Sequence, residues 1–310
     1  MGPETAGDPM GDQKWVRSSL RELSGRLEER GCAASPPTVG RLLKKQDYSL
    51  KVNVKKREGS AHPDRNRQFE YLEKQKQAFQ KEGWPIISVD TKKKELIGNF
   101  KNGGQAWCRE PEYVNVHDFP QDASARAVPY GIYEWLHNRG SVYVGTSGDT
   151  PQFAVDAIAR WWQQEGSGMF PQASHLLILA DAGGSNGYRP RVWKHQLQEQ
   201  LCDRFGLAVT VCHYPTGCSK WNPIEHRLFN HISLNWAGHP LRTLDTMLAY
   251  IRGTTTATGL TVQAFRLDGV YETGQKVSDS EMKKLQLEHH SVCPQWNYTF
   301  RPRSGKPAAS

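Results

Sequence analysis

The sequence predicts an α/β fold, with a mixed sheet flanked by helices and a smaller helical region before it. Three observations support this. Near the start, apolar residues recur at helical spacing. After Gly83, short apolar runs alternate with longer amphipathic stretches, as strands and crossover helices do. The chain has 310 residues, which suits one large domain and one small one.

The N-terminal region is predicted to hold two short helices. Residues 1–12 are rich in Gly, Pro and Asp, and a disordered tail is expected there. Gly31 is expected to end the first helix, and Ser35 with Pro36 to open the second, which runs to about Lys45. The apolar stripe of the first helix consists of Val16, Leu20, Leu23 and Leu27. Two helices joined by a Gly-containing turn predict a helix-turn-helix within residues 13–62, an ordinary helical hairpin being the alternative.

A basic segment overlaps the second helix. Residues 41–57 carry seven bases and one acid, Asp47, and the whole chain has a formal charge of +8 and a pI near 9.1. This excess favours a polyanionic partner such as DNA, although a solvated linker would look similar. The residues that we expect to contact DNA here are Thr38, Arg41, Lys44, Lys45, Lys55, Lys56 and Arg57.

The next segments predict the order of the large domain. A charged helix over residues 63–83 is interpreted as a connecting helix, either a spacer or a DNA contact. Strands are predicted at PIISVD, ELIGNF, SVYVGTS, HLLILAD and AVTVCHY, with ELIGNF paired to PIISVD through a Lys92–Lys94 turn. VPYGIYEWL is only partly apolar. Helices are predicted at PQFAVDAIARWWQQEG, RVWKHQLQEQLCDRFG and PIEHRLFNHISLNW.

Three acids stand at the ends of these elements. In a mixed sheet the first strand can be central and lie beside the strand that ends at Asp181. Asp90 ends that first strand, and Glu225 opens the last of the three helices. Converging carboxylates can hold two Mg²⁺ ions, which suits phosphoryl transfer. Asp118 and Asp149 are competing acids, and Asp149 is expected to cap the helix that starts at Pro151.

Other classes of protein receive little support from the sequence. No apolar run approaches the roughly 18 residues of a membrane span, and no signal-peptide pattern precedes residue 13. Six scattered cysteines in a chain of this size favour a reducing, intracellular compartment. The Cys212-to-Cys218 spacing is too wide for a usual zinc site, and no P-loop predicts a nucleotide cofactor.

Several motifs occur together in a recognisable order: SVDTKKKELIGNFKNGG, VNVHDFP, PYGIYEW, LLILADAGGSNGYRPRVWK and TVCHYPTGCSKWNPIEHRLFNHISLNW. Together with TTTATGLTVQA, KVSDSEMKKL and WNYTF, they cover residues 35–300. This series resembles the bacterial insertion-sequence transposases of the ISAzo type. Members usually carry a further helix-turn-helix region upstream of the one in this sequence.

The resemblance implies a DDE catalytic domain with a ribonuclease-H-like fold over residues 84–302, including an extension at 253–302 before a tail at 303–310. It implies Mg²⁺-dependent cutting of the element's terminal repeats and strand transfer into target DNA, with Mn²⁺ as a substitute ion. The family's three acids fall on Asp90, Asp181 and Glu225. The expected location is the bacterial cytoplasm, at nucleoid DNA.

Further DNA contacts are expected around this site, from Lys92, Lys93, Lys220, Trp221 and Asn222. Among them, the Trp221 ring is the one suited to stacking on a base. Double-stranded DNA is the expected partner, bound by a homodimer or higher oligomer. A non-catalytic or domesticated DNA-binding protein and a ribonuclease-H-type nuclease remain the alternatives.

Overall fold

The computed structural model describes residues 5–7, 14–16, 18–50 and 62–303, with only the backbone described for the first two ranges. The chain divides into two compact units, Met1–Glu58 and Gly59–Ser310. Within the described ranges, no helix is long and apolar enough to cross a membrane.

The first unit contains the two predicted helices, α1 (Leu20–Glu29) and α2 (Pro36–Lys45). The Ser19 side chain accepts from the Glu22 amide while the Glu22 side chain accepts from the Ser19 amide, a capping box that starts α1. The structure adds two antiparallel strands, β1 (Thr5–Gly7) and β2 (Lys14–Val16). Val16 is therefore in a strand and not in the first helix, which starts later because Ser19 caps it.

Helix α3 (Arg65–Lys81), which we predicted to be a connecting helix, belongs to the second unit. Its Leu72 and Phe79 are buried and belong to an apolar cluster that includes Ile86 and Leu177. The Gln68 amide is fully buried and donates to the His213 carbonyl oxygen at 2.9 Å. This helix is therefore part of the folded second unit and not a free spacer.

The second unit is built on a nine-stranded mixed sheet in the part of the chain that the structure describes. Its strands are β3 (Ile86–Thr91), β4 (Glu95–Ile97), β5 (Ala125–Glu134), β6 (Arg139–Gly145), β7 (His175–Ala180), β8 (Ala208–His213), β9 (Thr261–Arg266), β10 (Leu287–His289) and β11 (Asn297–Phe300). Eight of them follow the order β10-β11-β8-β7-β3-β5-β6-β9, and β4 pairs with β5.

The centre of this sheet has the expected topology. Strands β3, β5 and β6 are antiparallel neighbours, while β7 and β8 continue the sheet in parallel on the other side of β3. This arrangement confirms the ribonuclease-H-like fold. The segment that follows β8 extends this five-stranded centre on both sides. Strand β9 pairs with β6 on one side, and β11 pairs with β8 and then with β10 on the other.

Two strand predictions need correction. Strand β4 does not pair with β3 through a turn at Lys92–Lys94; it pairs with the start of β5, where Glu95 faces Ala127. The partly apolar VPYGIYEWL contributes most of β5, whose ten residues pair with both β3 and β6. Because β5 is buried on both faces, its sequence lacks the alternation that marks a half-exposed strand.

Helices cover both faces of the sheet. The remaining helices are α4 (Pro151–Trp161), α5 (Ser167–Met169), α6 (Arg191–Leu197), α7 (Asn230–Asn235), α8 (Leu244–Arg252) and α9 (Asp279–Met282). On one face, Phe153 of α4 and Trp193 of α6 join a core with Val89 and Tyr130. On the other, Phe229 precedes α7, and a Cβ at Gly131 would overlap the Phe229 ring. Glycine in β5 therefore lets the segment that carries Glu225 approach the sheet.

Candidate active site

Asp90 and Asp181 lie at the ends of two central, parallel strands. Val89 of β3 is in register with Ala180 of β7, so the next residue on each strand is one of the two acids. Carboxyl ends of parallel strands meet at one edge of the sheet, where irregular backbone leaves room for a ligand. Both acids are half-buried. Asp90 also pairs across to Gly131 of β5, which places it on the sheet face that the Glu225 segment covers.

Glu225 opens the helical segment after β8. A π-helical turn, Glu225–Phe229, leads directly into α7. Ile224, Leu228 and Phe229 are buried in the core, whereas Glu225 is half-buried. Apolar side chains therefore fix this turn against the sheet and leave the carboxylate at its open end. π-Helical turns are often found at functional sites.

The pKa values of all three acids are raised, and charge effects link Asp90 to the other two. Burial and the charge of Asp181 raise the pKa of Asp90 to about 8, and Glu225 adds to the rise. Burial raises the pKa of Asp181, against a hydrogen bond from Asn222. The pKa of Glu225 is likewise raised, by burial and then by Asp181. Carboxylates that repel one another in a partly buried site favour a bound proton or cation.

Asn222 connects the two strands that carry the aspartates. Its side chain is fully buried, and its Nδ2 donates to Asp181 Oδ1 at 3.0 Å and to the Val89 carbonyl oxygen at 3.4 Å. This burial contradicts the DNA contact that we predicted for Asn222. The sequence marks Asn222 only as a residue before Pro223 at a helix start, a pattern that does not show which strands would surround it.

A second buried contact is made to the backbone of Asp181. His213, the last residue of β8, is fully buried, and its Nδ1 lies 2.9 Å from the Asp181 carbonyl oxygen. Its Nε2 lies 2.8 Å from the Tyr298 hydroxyl. Burial lowers the pKa of His213 to about 4, so this ring is neutral near pH 7. Sequence reasoning considered His213 only as a zinc ligand and missed this role.

Asp149 has a different role from the predicted helix cap. Thr150 caps α4 by accepting from the Phe153 amide, whereas Asp149 accepts from the Thr91 hydroxyl at 3.0 Å and pairs with Lys94 at 3.3 Å. The capping prediction for Asp149 is therefore wrong by one residue. Asp149 instead adds negative charge near Asp90.

Lys92 is also placed differently from its prediction. It is only 8 % exposed, its Nζ lies 3.1 Å from Glu95 Oε1, and it sits 4.5 Å from the centroid of the Trp236 ring. These contacts contradict the DNA contact predicted for Lys92. Its charge acts on Glu225 and opposes the rise in that residue's pKa.

The remaining predicted DNA contacts are distributed over the two units. On α2, Arg41, Lys44 and Lys45 are exposed, while Thr38 is half-buried with its hydroxyl 3.0 Å from that of Ser35. Lys55, Lys56 and Arg57 lie outside the described residues. In the second unit the exposed members are Lys93, Lys220 and Trp221, whose ring is 53 % exposed.

The donor set suits a hard divalent cation. Mg²⁺ and Mn²⁺ prefer carboxylate oxygens. Burial raises the pKa of all three acids, and the charge of Asp181 raises those of Asp90 and Glu225 further, so a bound cation would offset this repulsion. Among the described residues, no three or more His, Cys, Asp or Glu side chains are already gathered at metal-binding geometry. The structure thus provides the right ligand type without a preformed cage.

Comparison with known protein families identifies the family of this chain. The family described as the Rhodopirellula transposase DDE domain matches residues 1–302. The chain therefore belongs to this family of DDE transposases. Membership confirms the resemblance drawn from the motifs and the prediction of an enzyme that cuts and transfers polynucleotide strands. No curated protein gives a significant match.

Similar solved structures include complexes of the Mos1 transposase. The Mos1 paired-end complex with left transposon end is 13% identical, with a TM-score of 0.44 over 79% of this chain and 73% of that chain. The Mos1 strand transfer complex is 11% identical, with a TM-score of 0.46 over 79% and 72%. The mariner Mos1 paired end complex with Mg is 12% identical, with a TM-score of 0.43 over 79% and 73%.

Proposed function

We propose that this protein cleaves the terminal repeats of an insertion sequence and joins the freed ends to target DNA at a site formed by Asp90, Asp181 and Glu225. The observation that carries the proposal is the placement of Asp90 and Asp181 at the ends of two paired parallel strands of a ribonuclease-H-like sheet, with the segment that opens at Glu225 packed on the same face as Asp90. Family membership supplies the type of reaction.

Asp90, Asp181 and Glu225 are the residues that would hold divalent cations. Two Mg²⁺ ions, or Mn²⁺ in their place, would supply charge stabilisation for both the attacking and the leaving oxygen of an in-line displacement. The protein's part is to hold these carboxylates on two strand ends and one helical turn. Glu225, on the segment after β8, would complete the site that the two aspartates begin.

The same site can perform both steps of the reaction. Water attacks a phosphodiester at the element end, and the freed 3′-hydroxyl later attacks target DNA in the same geometry. Each step breaks one P–O bond and forms another, so the number of phosphodiester bonds is conserved in joining. No covalent bond between protein and DNA is required.

Exposed basic side chains and one aromatic ring would bind the DNA duplex. Arg41, Lys44 and Lys45 form a basic end on α2, and a helix of this kind can enter the major groove. Near Glu225 in the sequence, Lys220 Nζ lies 5.6 Å from the centroid of the exposed Trp221 ring, a pair suited to a phosphate and a base. We assign duplex binding to the first unit, and strand transfer, with DNA contacts from Lys220 and Trp221, to the second.

The proposal also implies an oligomer. One site per chain cannot act on two element ends at once, so the active form would be at least a dimer on DNA. Such a protein would work at nucleoid DNA in the bacterial cytoplasm.

The deciding experiment supplies pre-cut element ends and supercoiled target DNA. Ends with a 3′-hydroxyl should give joined products in Mg²⁺ or Mn²⁺, whereas matched ends with 3′-dideoxy termini should bind equally and give none. Intact ends test cleavage in parallel. Cleavage without joining would identify a nuclease of transposase ancestry, and binding without either reaction would identify a DNA-binding relative.

A further inference from the structure

Asp181 is held at both its carboxylate and its main-chain carbonyl by buried side chains that cannot themselves touch substrate. We propose that Asn222 and the chain His213–Tyr298–Trp193 are positioning residues for Asp181, setting the direction of its carboxylate for cation binding. The inference rests on the proposed function and adds to it the groups that orient one ligand.

The need for such positioning follows from where Asp181 lies. It is the first residue after β7, and the loop behind it contains Gly183 and Gly184, the latter at a φ of 73°. Glycines in that loop leave the backbone little restraint of its own. A carboxylate at this point would sample several rotamers unless neighbouring groups restrict it.

Asn222 restricts the carboxylate itself. Its Nδ2 donates to Asp181 Oδ1 at 3.0 Å, which leaves Oδ2 unused by this contact. The same Nδ2 is 3.4 Å from the carbonyl oxygen of Val89, the residue before Asp90. One amide group thus links the Asp181 carboxylate to the backbone beside Asp90.

His213 restricts the backbone, and its tautomer is set by a chain of donors. Because the Asp181 carbonyl oxygen can only accept, His213 Nδ1 must carry the proton. Nε2 of the neutral ring must then accept from the Tyr298 hydroxyl at 2.8 Å. Trp193 Nε1 can only donate, and it does so to the Tyr298 oxygen at 3.1 Å. All three side chains are fully buried, so solvent does not replace these bonds. Each hydrogen bond therefore has a fixed donor and acceptor, from Trp193 through Tyr298 and from His213 to Asp181.

A purely structural polar pair in the same two strands provides the contrast. Thr210 of β8 and Thr299 of β11 share a buried hydrogen bond of 2.8 Å between their hydroxyls. Tyr298 and His213 lie on these strands too, but their chain of bonds ends on Asp181. Removal of Thr210's hydroxyl should therefore affect folding stability alone, while removal of Tyr298's should also affect the cation site.

The test measures Mn²⁺ binding to the DNA-free full chain by electron paramagnetic resonance, together with thermal unfolding and single-turnover cleavage. Asn222→Leu and Tyr298→Phe should each weaken Mn²⁺ binding about 10- to 100-fold, the usual loss when a group that orients a ligand is removed. Thr210→Val should lower the melting temperature comparably and leave Mn²⁺ affinity unchanged. Asp181→Asn sets the level of background binding.

A conservative pair tests the direction of the histidine bond. His213→Asn can keep an amide donor near the Nδ1 position, whereas His213→Leu keeps none. The asparagine variant should retain more Mn²⁺ affinity than the leucine variant at similar melting temperatures.

Two outcomes would overturn the proposal, and they are distinct. If Tyr298→Phe binds Mn²⁺ as tightly as the parent does, the buried hydrogen-bond series His213–Tyr298–Trp193 has only a structural role, even if Asn222→Leu does not fold. If the parent binds no more Mn²⁺ than Asp181→Asn, the cation site of the proposed function is itself lost.

Discussion

Most of the charged side chains of the first unit's helix pair are exposed to solvent, whereas those of the acid site in the second unit are half-buried. Helix α1 buries none of its side chains and α2 buries only Val39, while Arg41, Lys44 and Lys45 stand in solvent. The three acids are half-buried, and burial is the largest cause of each raised pKa. The comparison predicts that DNA binding and the chemistry on DNA can be separated by substitution.

The difference has a physical basis. Exposed basic side chains interact with solvent and counterions, so substituting them changes DNA affinity and has little effect on folding stability. The acids instead depend on neighbours: Asn222 and His213 for Asp181, and the Thr91 amide, 2.8 Å from Oδ1, for Asp90. Their burial and mutual repulsion destabilise the cation-free protein, a cost that proteins often carry at functional sites.

The largest expected effect comes from the acids. Asp90→Asn, Asp181→Asn or Glu225→Gln should each reduce strand cleavage by at least about a thousandfold, roughly 4 kcal/mol of transition-state stabilisation, while DNA affinity changes little. Single-turnover cleavage and gel-shift titration measure the two quantities. Asp118→Asn is the matched control, because Asp118 is exposed and accepts only a weak bond from the Lys101 amide at 3.4 Å. Undiminished cleavage in one variant would remove that acid from the site.

The next largest effect is on folding stability, and it tests the destabilisation caused by burial and repulsion of the acids. In the cation-free protein the pKa of Asp90 is raised from 3.8 to about 8, so the folded state holds a proton that the unfolded state releases. The resulting stabilisation is complete below pH 4 and is lost as pH rises through about 8. Asp181 and Glu225 act in the same direction. Asp90→Asn should therefore flatten this decline and raise the melting temperature by several degrees at pH 8.5.

Added Mg²⁺ completes that measurement. It should raise the melting temperature of the parent at pH 8.5 more than at pH 6, since cation and proton compete for the same carboxylates. The Asp90→Asn variant should respond weakly at both values. A parent whose melting temperature is independent of pH and Mg²⁺ would show that the acids carry no stored repulsion.

The sequence predicts the acids better than their surroundings, for a definite reason. Strand order and strand ends follow from local apolar runs, and this is how Asp90 and Asp181 could be assigned to neighbouring strands. The roles of Asn222 and His213 depend on contacts with residues far away in the chain, 41 positions in the case of Asn222 and Asp181. No local pattern encodes such contacts, and the same limit explains why Lys92 was predicted to be a DNA contact.

The edges of the sheet show the same limit. Strands β9, with six residues, and β11, with four, lie in a segment with irregular sequence, and no elements were assigned there. Strand β5 was obscured for another reason: burial on both faces removes the alternation that predicts strands. Helix α3 was readable as a helix, but its buried Gln68 contact to the His213 carbonyl was not.

A smaller effect, on DNA affinity, is expected from the basic side chains of the first unit. The triple change of Arg41, Lys44 and Lys45 to Gln should weaken DNA binding and flatten the log–log salt dependence by up to about 2.7, near 0.9 per lost phosphate contact. Cleavage at saturating protein should stay unchanged. The matched control changes three exposed lysines of the second unit, Lys276, Lys283 and Lys284, to Gln. Equal salt slopes for the two triple variants would mean that α2 does not contact DNA.

The smallest expected effect belongs to Trp221, which is half-exposed and lies four residues before Glu225 in the sequence. Its ring is 53 % exposed, yet its edge packs on Phe69 of α3 at a centroid distance of 6.2 Å. Stacking on a base contributes about 1–3 kcal/mol by alanine substitution, and a ring already half covered should fall at the low end. Trp221→Ala should therefore weaken binding of single-stranded element ends about fivefold to tenfold, as measured by fluorescence anisotropy. Trp107→Ala is the control, because Trp107 is fully exposed and lies in a different loop of the chain. If both substitutions weaken binding equally, the loss reflects non-specific binding by exposed aromatic rings. If only Trp221→Ala weakens binding, Trp221 contacts a DNA base beside the acid site. DNA binding and chemistry would then not be fully separate at this residue.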